Sequence, residues 1–131
     1  MRLNVLCIED QPDNMTLVRR ILPSERYNLL EAKTGVQGLA YAESCELDLI
    51  LLDINLPDID GYEVARKLRA SRKAELASVP IIAVTANALR GDDQKALKAG
   101  CDIYMSKPIN IQELVETVHA LTRRAPGGTV I

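Results

Sequence analysis

Short apolar runs alternate with helical patterns of apolar and polar residues along the whole chain of 131 residues. Five of the runs are short and mainly aliphatic, so they predict β-strands. The run Leu49–Leu52 is unbroken, which is typical of a central parallel strand that is covered on both faces. The predicted strands are Val5–Ile8, Tyr27–Leu30, Leu49–Leu52, Ile81–Val84 and Ile103–Met105.

A helical pattern follows each predicted strand. The first helix is stopped by Pro23, because proline cannot continue a helix. The fourth extends from about Ala88 to Ala99, with Gly91 in its first turn. Its apolar face is sparse, so we expect it to be the least stable of the five helices. That face consists of Leu89, Ala96 and Leu97.

The alternation of strand and helix predicts an α/β protein with a parallel sheet and right-handed crossovers. The expected architecture is a three-layer (βα)5 domain with helices on both faces of the sheet. The sequence contains no internal repeat, and we place a single domain at residues 1–124. The Pro/Gly-rich segment 125–131 is predicted to be a flexible C-terminal tail.

Composition narrows the classes of function. The chain has 16 basic and 18 acidic residues without a basic stripe, and it lacks Trp and Phe, which argues against direct nucleic-acid binding. No apolar run approaches the ~20 residues of a membrane span, and nothing marks export. The three cysteines form no CxxC or Cys/His cluster, so we expect a reducing cytoplasm rather than a zinc site.

Polar residues follow the ends of four predicted strands. Ligands of open parallel sheets bind at the carboxyl ends of the strands, so these side chains are expected to share one rim of the sheet. Carboxylates at that rim repel one another, and a hard divalent cation such as Mg²⁺ would relieve the repulsion. The residues are Glu9, Asp10, Asp53, Thr85 and Lys107.

Four separated motifs, taken in order and with their spacing, resemble one protein family. They are VLCIEDQPDN, LILLDINLPDIDG, PIIAVTA and YMSKP. From about Leu3 to Arg123 the chain is similar to the receiver domains of two-component response regulators, both single-domain regulators and the receivers of hybrid kinases. The resemblance implies the flavodoxin-like receiver fold, with a five-stranded parallel sheet of strand order 2-1-3-4-5.

The resemblance also implies phosphoryl-transfer chemistry. It assigns Asp53 as the phospho-acceptor, Lys107 as the partner of the phosphoryl oxygens or of Asp53, and the Thr85 hydroxyl as a donor to the phosphoryl group. A carboxylate is already ionised at neutral pH, so Asp53 needs no general base to attack phosphorus. What it needs is alignment and neutralisation of charge.

The cofactor that the resemblance implies is Mg²⁺. Asp10 is expected to bind the ion directly and Glu9 through water. Asp53 and the backbone carbonyl of Asn55 are expected to complete the protein ligands. Oxygen ligands and retained waters are what this ion prefers.

Further positions carry a role only through the resemblance. Thr85 and Tyr104 are expected to form the conformational switch. Asn55 and Asn87 are expected to tune the lifetime of the phosphoryl group, since both flank the approach of water. The Lys107–Pro108 peptide bond is expected to be cis, which only an X–Pro bond accepts at low cost.

The expected function is therefore signalling rather than turnover of an external substrate. A histidine kinase or histidine phosphotransfer protein would supply the phosphate, and the domain would catalyse its own phosphorylation and dephosphorylation. The face of the fourth helix, fifth strand and fifth helix would then change for a downstream protein target. A dimer through the same face is a further expectation.

Two other classes of function stay open at this point. The segment Asp58–Gly61 imitates the DxDG motif of phosphatases that form an aspartyl-phosphate intermediate. Pro57 precedes it and breaks any strand, so Asp58 and Asp60 are interpreted as turn residues, one of which starts the third helix. The third class is an interaction module that works without phosphorylation.

Overall fold

A parallel five-stranded sheet forms the centre of the protein in the computed structural model, which describes residues 2–86 and 91–122. The strand order is β2-β1-β3-β4-β5, and every neighbouring pair is parallel. The predicted α/β class and the order 2-1-3-4-5 are therefore confirmed. The predicted tail at 125–131 lies outside the described residues.

The strands match the apolar runs, with extensions of one or two residues. They are β1 (Leu3–Ile8), β2 (Tyr27–Ala32), β3 (Leu49–Asp53), β4 (Ile81–Thr85) and β5 (Ile103–Ser106). The helices are α1 (Pro12–Ile21), α2 (Gly35–Ser44), α3 (Gly61–Arg69), α4 (Ala74–Ser78), α5 (Asp92–Ala99) and α6 (Ile111–Thr122). The fourth and fifth helices predicted from sequence thus correspond to α5 and α6.

Alternate residues of the strands pack into two separate hydrophobic cores, one on each face of the sheet. On one face, Ile8 and Leu52 pack with buried residues of α2, α3 and α5. On the other face, Leu51 packs with residues of α1 and α6. All five residues of β3 are buried, as expected for a central strand covered on both sides.

The helix α4 was not predicted. It has five residues and only one of them, Leu76, is buried, so it shows no helical period that a sequence pattern could reveal. It lies between α3 and β4 and packs Leu76 into the core beneath α3. The plain alternation of one helix for each strand is therefore wrong in this segment.

The predicted description of the helix before β5 is wrong in two respects. Gly91 does not lie in its first turn: it precedes α5 with a φ of +91°, a left-handed conformation that glycine adopts without strain. Leu97 does not face the core, because 56% of it is exposed. The buried residues of α5 are the small Ala96 and Ala99, while Leu89 lies outside the described residues.

Candidate functional site

Three carboxylates meet at the carboxyl ends of β1 and β3. One oxygen each of Glu9, Asp10 and Asp53 lies within 4.8 Å of the others. Glu9 and Asp53 are 5% and 3% exposed, which is unusual for acidic residues. The structure therefore brings together the acids that the sequence analysis expected at one rim.

The backbone of each strand end fixes these carboxylates. Glu9 continues the ladder beyond β1, since its amide donates to the carbonyl of Ala32 at 2.9 Å. One Glu9 oxygen also accepts from the amide of Gln11 at 3.1 Å. Asp53 is the last residue of β3, and its Oδ1 accepts from the amide of Asn55 at 2.9 Å. Short local hydrogen bonds thus aim both side chains at the same point.

Lys107 brings a positive charge to this point from the end of β5. Its amide donates to the carbonyl of Thr85 at 2.8 Å, and the Lys107–Pro108 peptide bond is cis. Its ammonium lies 3.0 Å from Glu9 Oε1 and 3.5 Å from Asp53 Oδ2. The shorter contact is with Glu9, a pairing that the sequence analysis did not include.

The charges at the site do not cancel among the described residues, since negative groups outnumber positive ones. Burial raises the pKa of Asp53 and Glu9 adds to the rise, while the Asn55 amide and the Lys107 ammonium oppose it. Among the described residues, the Lys107 ammonium pairs with Glu9 and Asp53 of the three clustered carboxylates. In addition, Asp10 Oδ1 is buried and has no hydrogen-bond partner among the described residues. Three clustered carboxylates, one of which also has this buried oxygen without a partner, are a donor set that suits a hard divalent cation.

Thr85 closes the site from β4. Only 1% of the residue is exposed, and its hydroxyl lies 3.0 Å from Asn55 Oδ1. The amide of Ala86 lies 3.2 Å from the same oxygen. Sequence reasoning missed this role of the Asn55 side chain, because nothing local links residue 55 to residues 85 and 86.

Tyr104 lies on β5, on the face of the sheet that packs against α2, α3 and α5. Its hydroxyl is buried and finds no hydrogen-bond partner among the described residues. Burial raises its pKa, and Asp92 and Asp93 raise it further. Tyr62 packs against the same core, and the Tyr62 hydroxyl donates to the carbonyl of Asp92 at 3.4 Å. Asn87 lies outside the described residues.

The two aspartates after Pro57 have different structural roles. Asp60 is the N-cap of α3, with its carboxylate accepting from the amide of Tyr62 at 2.7 Å. Asp58 does not start α3: it binds the amides of Gly35 and Val36 at the beginning of α2. The prediction that one of these aspartates starts α3 is confirmed for Asp60, whereas Asp58 caps a helix that is distant in sequence. Both Asp58 oxygens are thereby engaged by backbone amides at the start of α2, and Asp58 is not part of the acid cluster of Glu9, Asp10 and Asp53, which argues against the phosphatase reading of this motif.

Gly61 lets α3 approach the residue after the candidate acceptor. A Cβ at this position would lie 2.5 Å from Ile54 Cα and 2.8 Å from the Asp53 carbonyl oxygen. Real contacts do not come this close, so only glycine fits without moving backbone. The amide of Gly61 donates to the carbonyl of Ile54 at 3.0 Å, which ties α3 to the loop that carries the site.

The fold and this rim of acids, lysine and threonine define a class of parallel α/β signalling domain. The family model described as response regulator receiver domain matches residues 5–119. The chain belongs to the response regulator receiver domain family, and it is thus a receiver of two-component signalling, as the motifs predicted.

Curated relatives and solved structures agree with this assignment. The polar-differentiation response regulator DivK of Brucella ovis is 37% identical over 118 residues, which cover 90% of this chain and 94% of the relative. The CheY-like receiver domain protein of Methanospirillum hungatei is 30% identical, with a TM-score of 0.84 and coverage of 93% of this chain and 94% of its own.

A third comparison concerns a metal-bound receiver. The receiver domain of sensor histidine kinase PA1611 from Pseudomonas aeruginosa is 37% identical, with a TM-score of 0.83 and coverage of 93% of this chain and 98% of its own. That structure has a magnesium ion coordinated in its active-site cleft.

Within residues 2–86 and 91–122 of the present chain, no helix is both long and apolar enough to cross a membrane.

Proposed function

We propose that this receiver accepts a phosphoryl group on Asp53 from the phosphohistidine of a histidine kinase or histidine phosphotransfer protein. The observation that carries the proposal is the position of Asp53. Its carboxylate is almost fully buried at the end of the central strand, with the Lys107 ammonium 3.5 Å away and two further carboxylates beside it. A structural aspartate does not need such surroundings.

The proposed reaction is an in-line displacement at phosphorus. A carboxylate oxygen of Asp53 forms the new O–P bond while the P–N bond of the phosphohistidine breaks, and the electron pair of that bond returns to the imidazole. No proton has to be removed from Asp53, since it attacks as the carboxylate. Lys107 offsets the negative charge on the transferred group, and the Thr85 hydroxyl donates to one of its oxygens. Hydrolysis then returns the carboxylate and inorganic phosphate.

We assign Glu9, Asp10, Asp53 and the backbone carbonyl of Asn55 as the residues that would hold Mg²⁺. Asp10 Oδ1, which lacks a partner within residues 2–86 and 91–122, supports a direct bond, and the magnesium-bound relative supports the choice of ion. When bound, the ion supplies charge neutralisation for the acids and for the phosphoryl oxygens. Glu9 already accepts from an amide and pairs with Lys107, which fits a contact through water better than a direct one.

The proposed output is a change of the face formed by α5, β5 and α6. Thr85 moves toward the phosphoryl group, and Tyr104 turns into the space behind it. The Tyr104 hydroxyl, which has no hydrogen-bond partner in the described part of the chain, and the small buried residues of α5 support a rearrangement there. A downstream protein target, or a second copy of the chain, would then bind this face. We place the domain in the cytoplasm, where its three free cysteines would stay reduced, and take residues 1–124 as the domain.

Modification of the protein by a small phosphodonor tests the proposal. With Mg²⁺ and acetyl phosphate, one phosphoryl group per chain is expected, measured by intact mass and by phosphate-affinity electrophoresis. Asp53→Asn should abolish it. Asp60→Asn is the matched control, because it also removes one negative charge, from the loop that follows β3, and asparagine is an equally good N-cap.

Two results of this experiment would contradict the proposal. Equal phosphorylation of Asp53→Asn and the wild-type protein would place the acceptor elsewhere. An absence of phosphorylation under all donors, with partner binding intact, would favour the interaction module. The proposed tuning of the phosphoryl lifetime by Asn55 and Asn87 is measured in the same assay as the rate of loss of the group after the donor is removed.

A further inference from the structure

Two hydrogen-bond donors at the end of β4 converge on a single acceptor. The Thr85 hydroxyl and the Ala86 amide lie 3.0 Å and 3.2 Å from Asn55 Oδ1. Asn55 is itself held by Asp53, whose Oδ1 accepts the Asn55 amide at 2.9 Å. Asn55, two positions after the proposed phospho-acceptor Asp53, thus connects Asp53 to the proposed switch residue Thr85 in the unmodified protein.

The chemistry of the donors fixes the orientation of this amide. The Ala86 backbone amide can only donate, so the atom that it faces is the Asn55 carbonyl oxygen and not the nitrogen. Thr85 lies against the same oxygen, so its hydroxyl proton points at Asn55. A hydroxyl has one proton, which cannot be given to Asn55 and to a phosphoryl oxygen at the same time.

We propose that the Asn55 side chain is a resting-state latch, which holds the Thr85 hydroxyl and the Ala86 amide until a phosphoryl group takes them over. The inference rests on the proposed function of Asp53 as the acceptor. A phosphoryl oxygen is charged and therefore a stronger acceptor than an amide oxygen, so modification of Asp53 draws both donors away from Asn55. The latch sets the balance between the resting and the switched states.

The burial of the residues suits this role. Thr85 is 1% exposed, so in the resting state its hydroxyl depends on a protein acceptor. Asn55 as a whole is exposed, so its side chain can turn into water once its donors have left. Asn55 is therefore a positioning residue: it acts on the phosphoryl group through Thr85 and Ala86.

The variant Asn55→Ala tests the latch, because it removes the acceptor and keeps the backbone carbonyl. The first measurement is the NMR signal of the Ala86 amide in the Mg²⁺-free, unphosphorylated protein. Loss of its hydrogen bond is expected to move the proton resonance upfield and to speed its exchange with solvent. An unchanged Ala86 amide would overturn the proposal. This readout needs no phosphorylation and is independent of the function of Asp53.

The second measurement is the affinity for beryllofluoride with Mg²⁺, as a mimic of the phosphoryl group. Asn55→Ala is expected to bind it roughly two- to ten-fold more tightly, since no bond to Asn55 has to be broken first. In a Thr85→Val background, Asn55→Ala should raise the affinity for beryllofluoride less, because one of the two donors that bind Asn55, the Thr85 hydroxyl, is already absent. An equal gain in both backgrounds, or no gain in either, would overturn the latch.

A remote amide deletion serves as the control. Asn28→Ala removes a side chain whose amide donates to Asn4 at the opposite end of the sheet, and it should change neither readout. If the wild-type protein fails to bind beryllofluoride, the proposed function of Asp53 fails. The Ala86 amide then still decides whether Asn55 holds the end of β4.

Discussion

The carboxylate of Asp58 caps a helix that begins 23 residues earlier in the chain, with Oδ1 accepting the backbone amide of Gly35 at 2.8 Å. Its other oxygen accepts the amide of Val36 at 2.9 Å. These bonds stabilise the negative charge and lower the pKa of Asp58, the bond from Val36 most and that from Gly35 next. The loop that follows β3 therefore holds the start of α2.

The first prediction concerns the stability of Asp58→Asn as a function of pH. Because the folded-state pKa of Asp58 is lowered, its contribution is fully present above the pKa of the unfolded chain, about 3.9, and is lost as the pH falls through the folded value. Asp58→Asn should therefore unfold at lower urea than the wild type at pH 7, and the gap should narrow below about pH 4. Urea titrations at several pH values measure it.

Asp60→Asn is the control for this prediction. Asp60 accepts one amide bond, which an asparagine oxygen can replace, whereas Asp58 uses one oxygen for each of two amides. Asp60→Asn should leave the stability at pH 7 nearly unchanged. A pH-independent gap for Asp58→Asn would mean that the charge of Asp58 does not stabilise the helix start.

The second prediction concerns the other end of α2. The Lys73 ammonium donates to the carbonyls of Ala42, Glu43 and Cys45 at 3.1–3.3 Å. It satisfies carbonyls that the end of the helix leaves open and complements the negative end of the helix dipole. Lys73→Met keeps the apolar stem, and we expect it to lower the free energy of unfolding by about 1–2 kcal/mol, with allowance for solvent screening.

Chemical denaturation of Lys73→Met measures this effect, and Lys67→Met is the control. Lys67 is an exposed residue of α3 with the same side chain, and its substitution should be close to neutral. Equal effects of the two substitutions would show that the three carbonyl contacts do not contribute. Opposite charges from the segments that flank α3 thus hold both ends of α2, which contains two glycines and would otherwise be a weak helix.

These contacts show where prediction from sequence succeeded and where it could not. The aliphatic runs located all five strands, and the polar residues at their ends located the rim, because both signals are local in sequence. The bond from Asp58 to α2 and the contact of Asn55 with Thr85 join distant segments, so no pattern in one segment reveals them. The predicted apolar face of this helix included Ala96 and Leu97, but packing in α5 buries Ala96 with Ala99 and leaves Leu97 exposed.

The third prediction separates a defect at Asp53, the proposed phospho-acceptor, from a general loss of stability. Gly61→Ala places a methyl group 2.5 Å from the backbone of Ile54, so the loop after Asp53 must shift. We expect a loss of about 1–3 kcal/mol in stability and a slower phosphorylation of Asp53 at temperatures where the variant is folded. Rates with acetyl phosphate, measured well below the melting temperature, test this.

Gly38→Ala is the matched control. The added methyl group meets the side chain of Ile8, which packs in the core, and no backbone atom of another element is among its nearest contacts. This variant should also lose stability, but its folded form should be phosphorylated at the wild-type rate. If both variants slow the reaction equally, the contact between Gly61 and the acceptor loop has no special role.

The last prediction is that Asp10→Asn stabilises the metal-free protein but weakens its binding of Mg²⁺. Asp10 Oδ1 is buried and has no partner among the described residues, and one oxygen of Asp10 lies within 4.8 Å of oxygens of Glu9 and Asp53. Asp10→Asn removes one repelling charge, so without Mg²⁺ the variant should be more stable than the wild type, by ~1 kcal/mol. Mg²⁺ should stabilise the wild type, by about 1.4 kcal/mol when its free concentration is ten times the dissociation constant. The same concentration should stabilise the variant much less.

Thermal unfolding with and without Mg²⁺ measures both effects, each as a shift of a few degrees in the melting temperature. Asp13→Asn is the control, since it removes an exposed acid from the first turn of α1, and its response to Mg²⁺ should be that of the wild type. The two stability curves of Asp10→Asn and the wild type should therefore cross as Mg²⁺ is added. If Asp10→Asn keeps the full response to Mg²⁺, Asp10 is not a ligand of the ion, because the loss of a ligand's charge weakens metal binding.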